Sequence, residues 1–174
     1  MPSDQRPFRP LTPSEEAFVR ELSRVLLVLP RAVDADLVRA AGLPLSEYTP
    51  LMHLSEAPGR AMRMSELAVA CNITLSGMTR VVTRLEKHGW VERAKSAEDG
   101  RGWNAALTDA GLTRLEQAWP EFLASVRLNL VDHFEGQDLD RLTATLRHVA
   151  APDHQPKPNP APDAPGTGRE AART

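Results

Sequence analysis

The chain has 174 residues but a single cysteine, Cys71, which rules out an intramolecular disulfide and gives no sign of secretion. It also lacks an apolar run long enough to span a membrane, and its first residues contain no apolar segment like that of a signal peptide. We therefore expect a cytoplasmic protein without membrane contact. The net charge is only −2, so a DNA-binding surface has to be a local concentration of basic residues.

The sequence motifs of common enzyme classes are missing as well. There is no P-loop, no Gly-x-Ser-x-Gly nucleophile elbow, no dinucleotide-binding fingerprint and no metal-hydrolase motif. The five histidines show no metal-binding spacing. We expect no enzymatic activity, no cofactor and no metal site. Cys71 follows the apolar stretch ELAVA, which favours a small core residue over a redox sensor.

The two ends of the chain differ in composition from the middle. Residues 151–174 contain six prolines and no apolar side chain larger than alanine, so they cannot bury enough surface to offset the entropy of ordering. We expect a disordered Pro-rich tail there, and a flexible N-terminus over 1–12. The remaining residues, 13–150, are predicted to be ordered and mostly helical.

Both flanks of this ordered region are predicted to be helical. Thr12 before Pro13 is a helix start, with an N-cap followed by proline at the first helical position. Apolar residues then recur every three or four positions, and Pro30 within this run fits either one kinked helix or two short ones. Thr108 begins a second long helix, which Pro120 is expected to bend. A last helix carries apolar residues at the same spacing: Leu139, Leu142, Leu146 and Val149.

The central residues, 46–107, are predicted to contain three helices followed by a β-hairpin. Ser46 is the expected N-cap of the first helix, and Ser65 that of the second, which ends near Ala70. A turn over 71–74 separates the second helix from the third. This order is that of a helix-turn-helix, whose final helix enters the major groove of DNA.

The third of these helices covers about 75–88 and is closed by Gly89. Its predicted buried stripe consists of Leu75, Met78, Val81, Val82 and Leu85. Two extended segments, 90–94 and 103–107, then flank a polar loop and predict a hairpin with a long tip, the wing of a winged helix-turn-helix. The fold class is therefore mainly α with a small two-stranded β-wing.

The third helix has a small polar start and a basic outer face. Its first residues on that side are Thr74, Ser76, Gly77 and Thr79. Small residues let a helix end approach DNA closely, and its free amide groups favour a phosphate. Arg80 and Arg84 lie four residues apart on one face, with Lys87 beyond them, and either arginine suits a phosphate or a guanine. The alternative is a surface charge paired with Glu86 or Glu98.

Local charge favours the DNA-binding interpretation. Residues 60–104 contain eight basic and five acidic residues, a net charge of +3, which leaves −5 for the rest of the chain. The positive charge is thus concentrated where the groove-facing elements are predicted.

These residues resemble the MarR family of bacterial transcriptional regulators, most strongly in SELAVACNITLSGMTRVVTRLEKHGWVER and in the wing. The family's wing pattern is Asp-x-Arg, three residues, then Leu-x-Leu-Thr-x-x-Gly, and it is matched here by Asp99, Arg101, Leu107, Thr108 and Gly111. Ala105 replaces the first leucine of the pattern, and Gly100 stands where the family often has a second basic residue. The resemblance extends from about residue 14 to residue 150.

The resemblance implies a fold and a function. Residues 13–150 form a single MarR-like domain, with the winged helix-turn-helix at 46–107 and dimerisation helices at 13–45 and 108–150. The homodimer binds a pseudo-palindromic double-stranded operator with half-sites about one helical turn apart, ~34–36 Å. It represses its own or a neighbouring promoter. A small phenolic or carboxylate effector, bound between the dimer helices and the DNA-binding lobe, releases it, and Arg31 and Tyr48 are candidates for that cleft.

At the wing, the resemblance implies that Arg101 enters the minor groove and that Asp99 orients it, since a narrow groove attracts arginine. The expected DNA-contacting residues are then Ser65, Thr74, Ser76, Gly77, Thr79, Arg80, Arg84, Lys87, Asp99 and Arg101. The alternative function is a winged-helix protein-interaction module without specific DNA binding. That alternative explains neither the basic face nor the arginine at the wing tip.

Overall fold

The computed structural model describes residues 9–95 and 103–150, which form six helices and a small antiparallel sheet of three strands. The predicted fold class is confirmed, with one strand more than expected. The helices are α1 (Pro13–Ala41), α2 (Leu45–Glu56), α3 (Met64–Ala70), α4 (Leu75–Lys87), α5 (Asp109–Asn129) and α6 (Leu139–Val149). The strands are β1 (Ala61–Arg63), β2 (Val91–Lys95) and β3 (Trp103–Leu107). The predicted flexible N-terminus and the wing tip fall largely, and the Pro-rich tail wholly, outside the described residues.

Helix α1 is one continuous helix, which settles the two alternatives left open by Pro30. The predicted N-cap is confirmed, because the Thr12 hydroxyl accepts a hydrogen bond from the Glu15 N–H and the Glu15 carboxylate accepts one from the Thr12 N–H. Of its apolar residues only Val33 and Leu37 are buried. The rest of the predicted apolar stripe is therefore not part of the core of this chain.

The core lies in the helix-turn-helix region. It is formed by α2, α3, α4 and the sheet, with residues of α1 and α5 packed into it, and its fully buried residues include Leu51, Leu54, Leu67, Met78 and Leu85. Four of the five residues predicted as the buried stripe of α4 are buried. The prediction for the fifth, Leu75, is wrong, because this residue stands in the first turn of α4 beyond the core and is 52% exposed.

Two predicted helix starts are corrected. Helix α2 begins at Leu45 rather than after Ser46, and the Leu45 N–H donates to Asp34 Oδ1 at 2.7 Å. Helix α3 begins at Met64, so Ser65 is its second residue and not its N-cap. Asp34 accepts the first N–H of α2, and the Glu66 carboxylate accepts the Arg63 N–H at 3.4 Å before α3, so neither helix start depends on a serine cap.

The sheet has the order β1-β3-β2, and all its pairs are antiparallel. The predicted hairpin pairs Val91 with Leu107 and Lys95 with Trp103. Strand β1 pairs with the other edge of β3, from Ala61 opposite Ala106 to Arg63 opposite Asn104. Three residues are too short to show an alternating pattern, so the sequence alone does not predict β1.

Gly89 makes the tight reversal from α4 into the wing, as predicted. It has a φ of 70°, a left-handed conformation that glycine adopts without strain. Its N–H donates to Glu86 O at 2.9 Å, and the Trp90 N–H donates to Leu85 O at 3.0 Å. These two bonds close the helix and direct the chain into β2.

The chain divides into two compact units, with the boundary between Glu135 and Gly136. The second unit contains α6, which begins after Asp138, whose carboxylate accepts the Arg141 N–H at 3.0 Å. The predicted last helix is thus present, and its apolar residues are exposed: Leu139, Leu142, Leu146 and Val149.

Candidate nucleic-acid interface

The start of α4 is built from small polar residues that hold one another. The Thr74 hydroxyl accepts a hydrogen bond from the Gly77 N–H at 3.1 Å and lies 3.1 Å from Ser76 Oγ. Thr74 is therefore the N-cap of this helix. A side chain at Gly77 would place its Cβ 3.2 Å from that same hydroxyl, so a small residue keeps the cap undisturbed.

The outer face of α4 is exposed and basic. Thr79, Arg80 and Lys87 all reach solvent on this face. Arg80 and Lys87 have no ion-pair partner anywhere in the described part of the chain. The opposite face is anchored in the core, so α4 presents these two cations on a fixed support.

Arg84 has a different environment from the one predicted. Its Nε donates to Glu47 Oε1 of α2 at 2.8 Å, whereas Glu86 pairs with Arg93, and Glu98 lies outside the described residues. Glu47 is only 8% exposed, whereas the Arg84 side chain is 47% exposed. Arg84 therefore combines a buried carboxylate partner with a partly solvent-facing guanidinium.

Glu86 pairs with Arg93 of the wing. The Arg93 guanidinium donates to Glu86 Oε2 through Nε at 2.8 Å and also through Nη2, and to Thr83 Oγ1 at 3.1 Å. This arginine holds the pKa of the Glu86 carboxyl below its usual range. The contacts tie β2 to α4, so the wing base and the helix are positioned together. The pairing of Arg93 with Glu86 is not predictable from the sequence, because it depends on how the hairpin folds back onto α4.

The remaining predicted contacts are distributed as follows. Ser65 is exposed in the first turn of α3, and with Thr79 it lines a groove beside the wing. Asp99 and Arg101 lie outside the described residues, so the predicted tip contacts stay predictions. Ala105, where the family pattern has leucine, is fully buried in β3 opposite Arg93.

A separate pocket of about 410 Å³ lies against α1, α2 and the turn before α4. Its polar lining consists of Arg31, Asp34, Ser46, Thr49 and Cys71. Burial raises the pKa of the Cys71 thiol to about 11, which disfavours the reactive thiolate.

Tyr48, the other candidate for a cleft, is instead a core residue. It is stacked on Phe122 with ring centroids 4.5 Å apart, and its hydroxyl is buried without a hydrogen-bond partner among the described residues. Within the same residues, no group of His, Cys, Asp and Glu has the arrangement of a metal site. None of the described helices is long and apolar enough to cross a membrane.

Comparison with known sequences identifies relatives among bacterial repressors. Residues 41–102 match the model of the MarR family. The transcriptional repressor MprA of Escherichia coli is 30% identical over 84 residues, so the chain spans about half the length of that relative, 48%. The HTH-type transcriptional repressor Rv2887 of Mycobacterium tuberculosis is 37% identical over 97 residues, which cover 56% of this chain and 68% of the relative.

Solved structures are similar over a larger part of the chain. Sco3205, a MarR family regulator from Streptomyces coelicolor solved in complex with DNA, has 36% identity and a TM-score of 0.75, covering 85% of this chain and 91% of its own. AbsC from the same organism has 34% identity and a TM-score of 0.74, covering 82% and 96%. With its helix-turn-helix, its wing strands and these relatives, the chain belongs to the MarR family of transcriptional regulators.

Proposed function

We propose that this protein is a repressor that binds a pseudo-palindromic operator in double-stranded DNA as a homodimer and acts in the bacterial cytoplasm, where the chromosome is. The observation that carries the proposal is the outer face of α4, where Arg80 and Lys87 are exposed without an ion-pair partner among the described residues. Exposed cations on a helix face suit the phosphates and base edges of DNA. The DNA-bound relative Sco3205 supports the same function.

The proposed contacts divide between the helix and the wing. Ser76, Gly77 and Thr79 allow close approach of α4, and Arg80 and Lys87 supply charge. Thr74 acts by capping the helix. At the wing, we propose that Arg101 enters the minor groove and that Asp99 aims it.

Selection of duplexes from a random pool, followed by fluorescence anisotropy on the selected operator, tests the proposal. Arg80→Ala is expected to weaken binding and, if Arg80 meets a phosphate, to reduce the slope of log K against log salt by about 0.9 for each phosphate that is no longer neutralised. Arg127→Ala, which removes the same charge from the exposed end of α5, is the matched control and should leave binding unchanged. Failure of the wild-type protein to select any sequence would favour the protein-interaction module instead.

The dimeric state is supported by α1. Its first half exposes large apolar residues on several sides, with Phe18 at 67%, and the set comprises Phe18, Val19, Val25, Leu26, Leu27 and Val28. Soluble monomers rarely leave so many apolar side chains together in water. Sedimentation velocity should give a dimer, and Leu26→Glu should give a monomer. Val69→Glu, which charges an even more exposed apolar residue of α3, should leave the dimer intact.

We propose that the 410 Å³ pocket takes the small phenolic or carboxylate effector. Arg31 supplies a cation for a carboxylate, and Ser46 and Thr49 supply hydroxyl groups. Benzoate and phenol are suitable probes. Either one should lower operator affinity, and Arg31→Ala should abolish the benzoate effect while retaining DNA binding. An unchanged benzoate response in Arg31→Ala would place the effector elsewhere.

A further inference from the structure

A groove of about 350 Å³ lies between the end of α2 and the first half of α5. Its floor is apolar and is formed by Met52 from α2 and by Leu112 and Leu115 from α5, which pack on the hydrophobic core. The groove shares no lining residue with the 410 Å³ pocket. A cavity of this size with an apolar floor suits a small organic molecule.

The charged residues of this groove are both acidic. Among the described residues that line it, Glu56 of α2 and Glu116 of α5 carry a carboxylate, and none is basic. Within the described part of the chain, neither carboxylate has an ion-pair or hydrogen-bond partner. The arginines nearest to them in sequence are engaged elsewhere, because Arg60 pairs with Asp109 at 3.0 Å and Arg114 donates to a carbonyl of the last turn of α1. The groove therefore favours a positively charged ligand.

The charge of Glu56 also acts on the core behind the groove. Burial in the first place, and the Glu56 carboxylate in the second, raise the pKa of the Tyr48 hydroxyl to about 12. Glu56 thus stands close to a region from which water is excluded. A carboxylate at such a boundary attracts a bound cation more strongly than a carboxylate surrounded by water, because the attraction is less screened.

An aromatic side chain forms one wall of the groove. Trp119 lines it and is 44% exposed. The indole stacks on Phe122 with ring centroids 5.9 Å apart, and Phe122 stacks on the buried Tyr48, so the indole is held in place from behind. Among side chains, the indole ring is the best partner for a cation–π contact. The groove therefore combines an aromatic wall, two carboxylates and an apolar floor.

We infer that this groove binds an organic cation with a compact apolar body, a protonated amine or quaternary ammonium that carries one aromatic ring. The cationic group lies beside Glu56, Glu116 and the indole of Trp119, and the apolar body lies on the floor of the groove. This ligand is opposite in charge to the carboxylate effector proposed for the 410 Å³ pocket, so the two cavities take different ligands. The proposed DNA contacts do not involve this groove. A bound cation joins α2 to α5 and should therefore raise the melting temperature.

Isothermal titration calorimetry on the full chain tests the site with benzyltrimethylammonium, whose charge does not change with pH. Benzyl alcohol is the neutral control and should bind much more weakly, and benzoate should not compete with the cation. Glu56→Gln and Glu116→Gln, which keep the shape of the side chains, should each weaken binding of the cation by about two- to fivefold, the range for an exposed ion pair. Glu121→Gln, which removes an exposed carboxylate of α5 outside the groove, is the matched control and should bind like the wild type. Circular dichroism confirms that each variant is folded.

Tryptophan fluorescence locates the bound cation. The chain has three tryptophans, and benzyltrimethylammonium should change the emission of the wild type and of Trp103→Phe but much less that of Trp119→Phe. Asp34→Asn, which removes the carboxylate of the 410 Å³ pocket, should bind the cation like the wild type.

Four results would overturn the inference: no binding of the cation by the wild type, equal binding of benzyl alcohol, wild-type affinity in both Glu56→Gln and Glu116→Gln, or loss of binding in Asp34→Asn. A fluorescence change that persists in Trp119→Phe would place the cation elsewhere and would overturn it as well. These measurements contain no DNA, so none of these results bears on the proposed repressor function.

Discussion

Arg84 and Glu47 join α4 to α2 through one hydrogen-bonded ion pair, Nε to Oε1 at 2.8 Å. The two residues lie 37 positions apart in the chain. A carboxylate as buried as Glu47 is costly unless it is paired, so the arginine has a structural role whatever it does at DNA. Arg84 thereby differs from Arg80, which lies one turn earlier on the same helix. Arg80 has no carboxylate partner among the described residues.

Arg84→Ala should therefore destabilise the fold, whereas Arg80→Ala should not. Removing the arginine leaves the Glu47 carboxylate buried and unsatisfied, which costs about 1–3 kcal/mol. Urea unfolding measures the difference between the two variants. The double variant Glu47→Met, Arg84→Met should recover most of the stability, since replacing both partners by apolar groups is often nearly neutral. Equal stability of Arg84→Ala and Arg80→Ala would show that the pair contributes nothing.

Gly111, the last residue of the wing pattern, is required by close packing. A Cβ at this position would lie 2.1 Å from the Trp90 carbonyl oxygen and 2.7 Å from Leu107 Cδ1. That carbonyl already accepts the Thr108 N–H at 3.0 Å, so it is not free to move. Gly111→Ala should cost about 3 kcal/mol, the upper part of the range for overpacking. Ala110→Ser, one residue earlier and exposed, is the control, and urea midpoints compare them.

Much of the fold is predictable because its signals are local. The Thr12 cap, the Gly89 reversal and the hairpin strands each depend on residues close together in sequence. The errors arise where a distant segment decides the outcome. Asp34 supplies the hydrogen bond at the start of α2, and β1 exists only because β3 offers it an edge. Neither partner is visible in a short window of sequence.

The candidate site is predictable to the same extent. The exposed face of α4 follows from its helical period, so the sequence places Arg80 and Lys87 correctly on the surface. The partner of Arg84 is not predictable, because Glu47 resembles any first-turn glutamate of a helix. For Trp103 the sequence pattern indicates only a strand, and the exposure of the indole follows from where the core ends.

Asn72 occupies the turn between α3 and α4 in a left-handed conformation, with a φ of 52°. Asparagine tolerates this region, and glycine tolerates it better, but a β-branched side chain does not. Asn72→Gly should keep the stability of the wild type, whereas Asn72→Val should lose about 1–2 kcal/mol. Chemical unfolding of the two variants checks the difference. Similar midpoints for glycine and valine would mean that the turn relaxes to another conformation.

Asp36 gives the contact between α1 and α5 a dependence on pH. Its carboxylate accepts hydrogen bonds from Ser125 Oγ at 2.7 Å, from Asn129 Nδ2 at 2.9 Å and from Arg39. These bonds, that from Ser125 foremost, hold the pKa of the Asp36 carboxyl below its ordinary value. The stabilisation is therefore fully present above the pKa of the unfolded chain, about 3.9, and is lost as the pH falls through the lower pKa of the folded state.

Asp36→Asn should accordingly lower the melting temperature at pH 7 and flatten its decline in acid. The asparagine cannot accept as strongly from both Ser125 and Asn129, and it has no carboxylate to protonate in acid. Calorimetric melting temperatures of the wild type and the variant, measured from neutral pH down to about pH 3, should converge as the carboxyl of the wild type is protonated. Asp132→Asn, at an exposed ion pair with Arg127, is the control and should follow the wild-type curve. A constant gap between Asp36→Asn and the wild type at every pH would contradict the assignment of the acid sensitivity to Asp36.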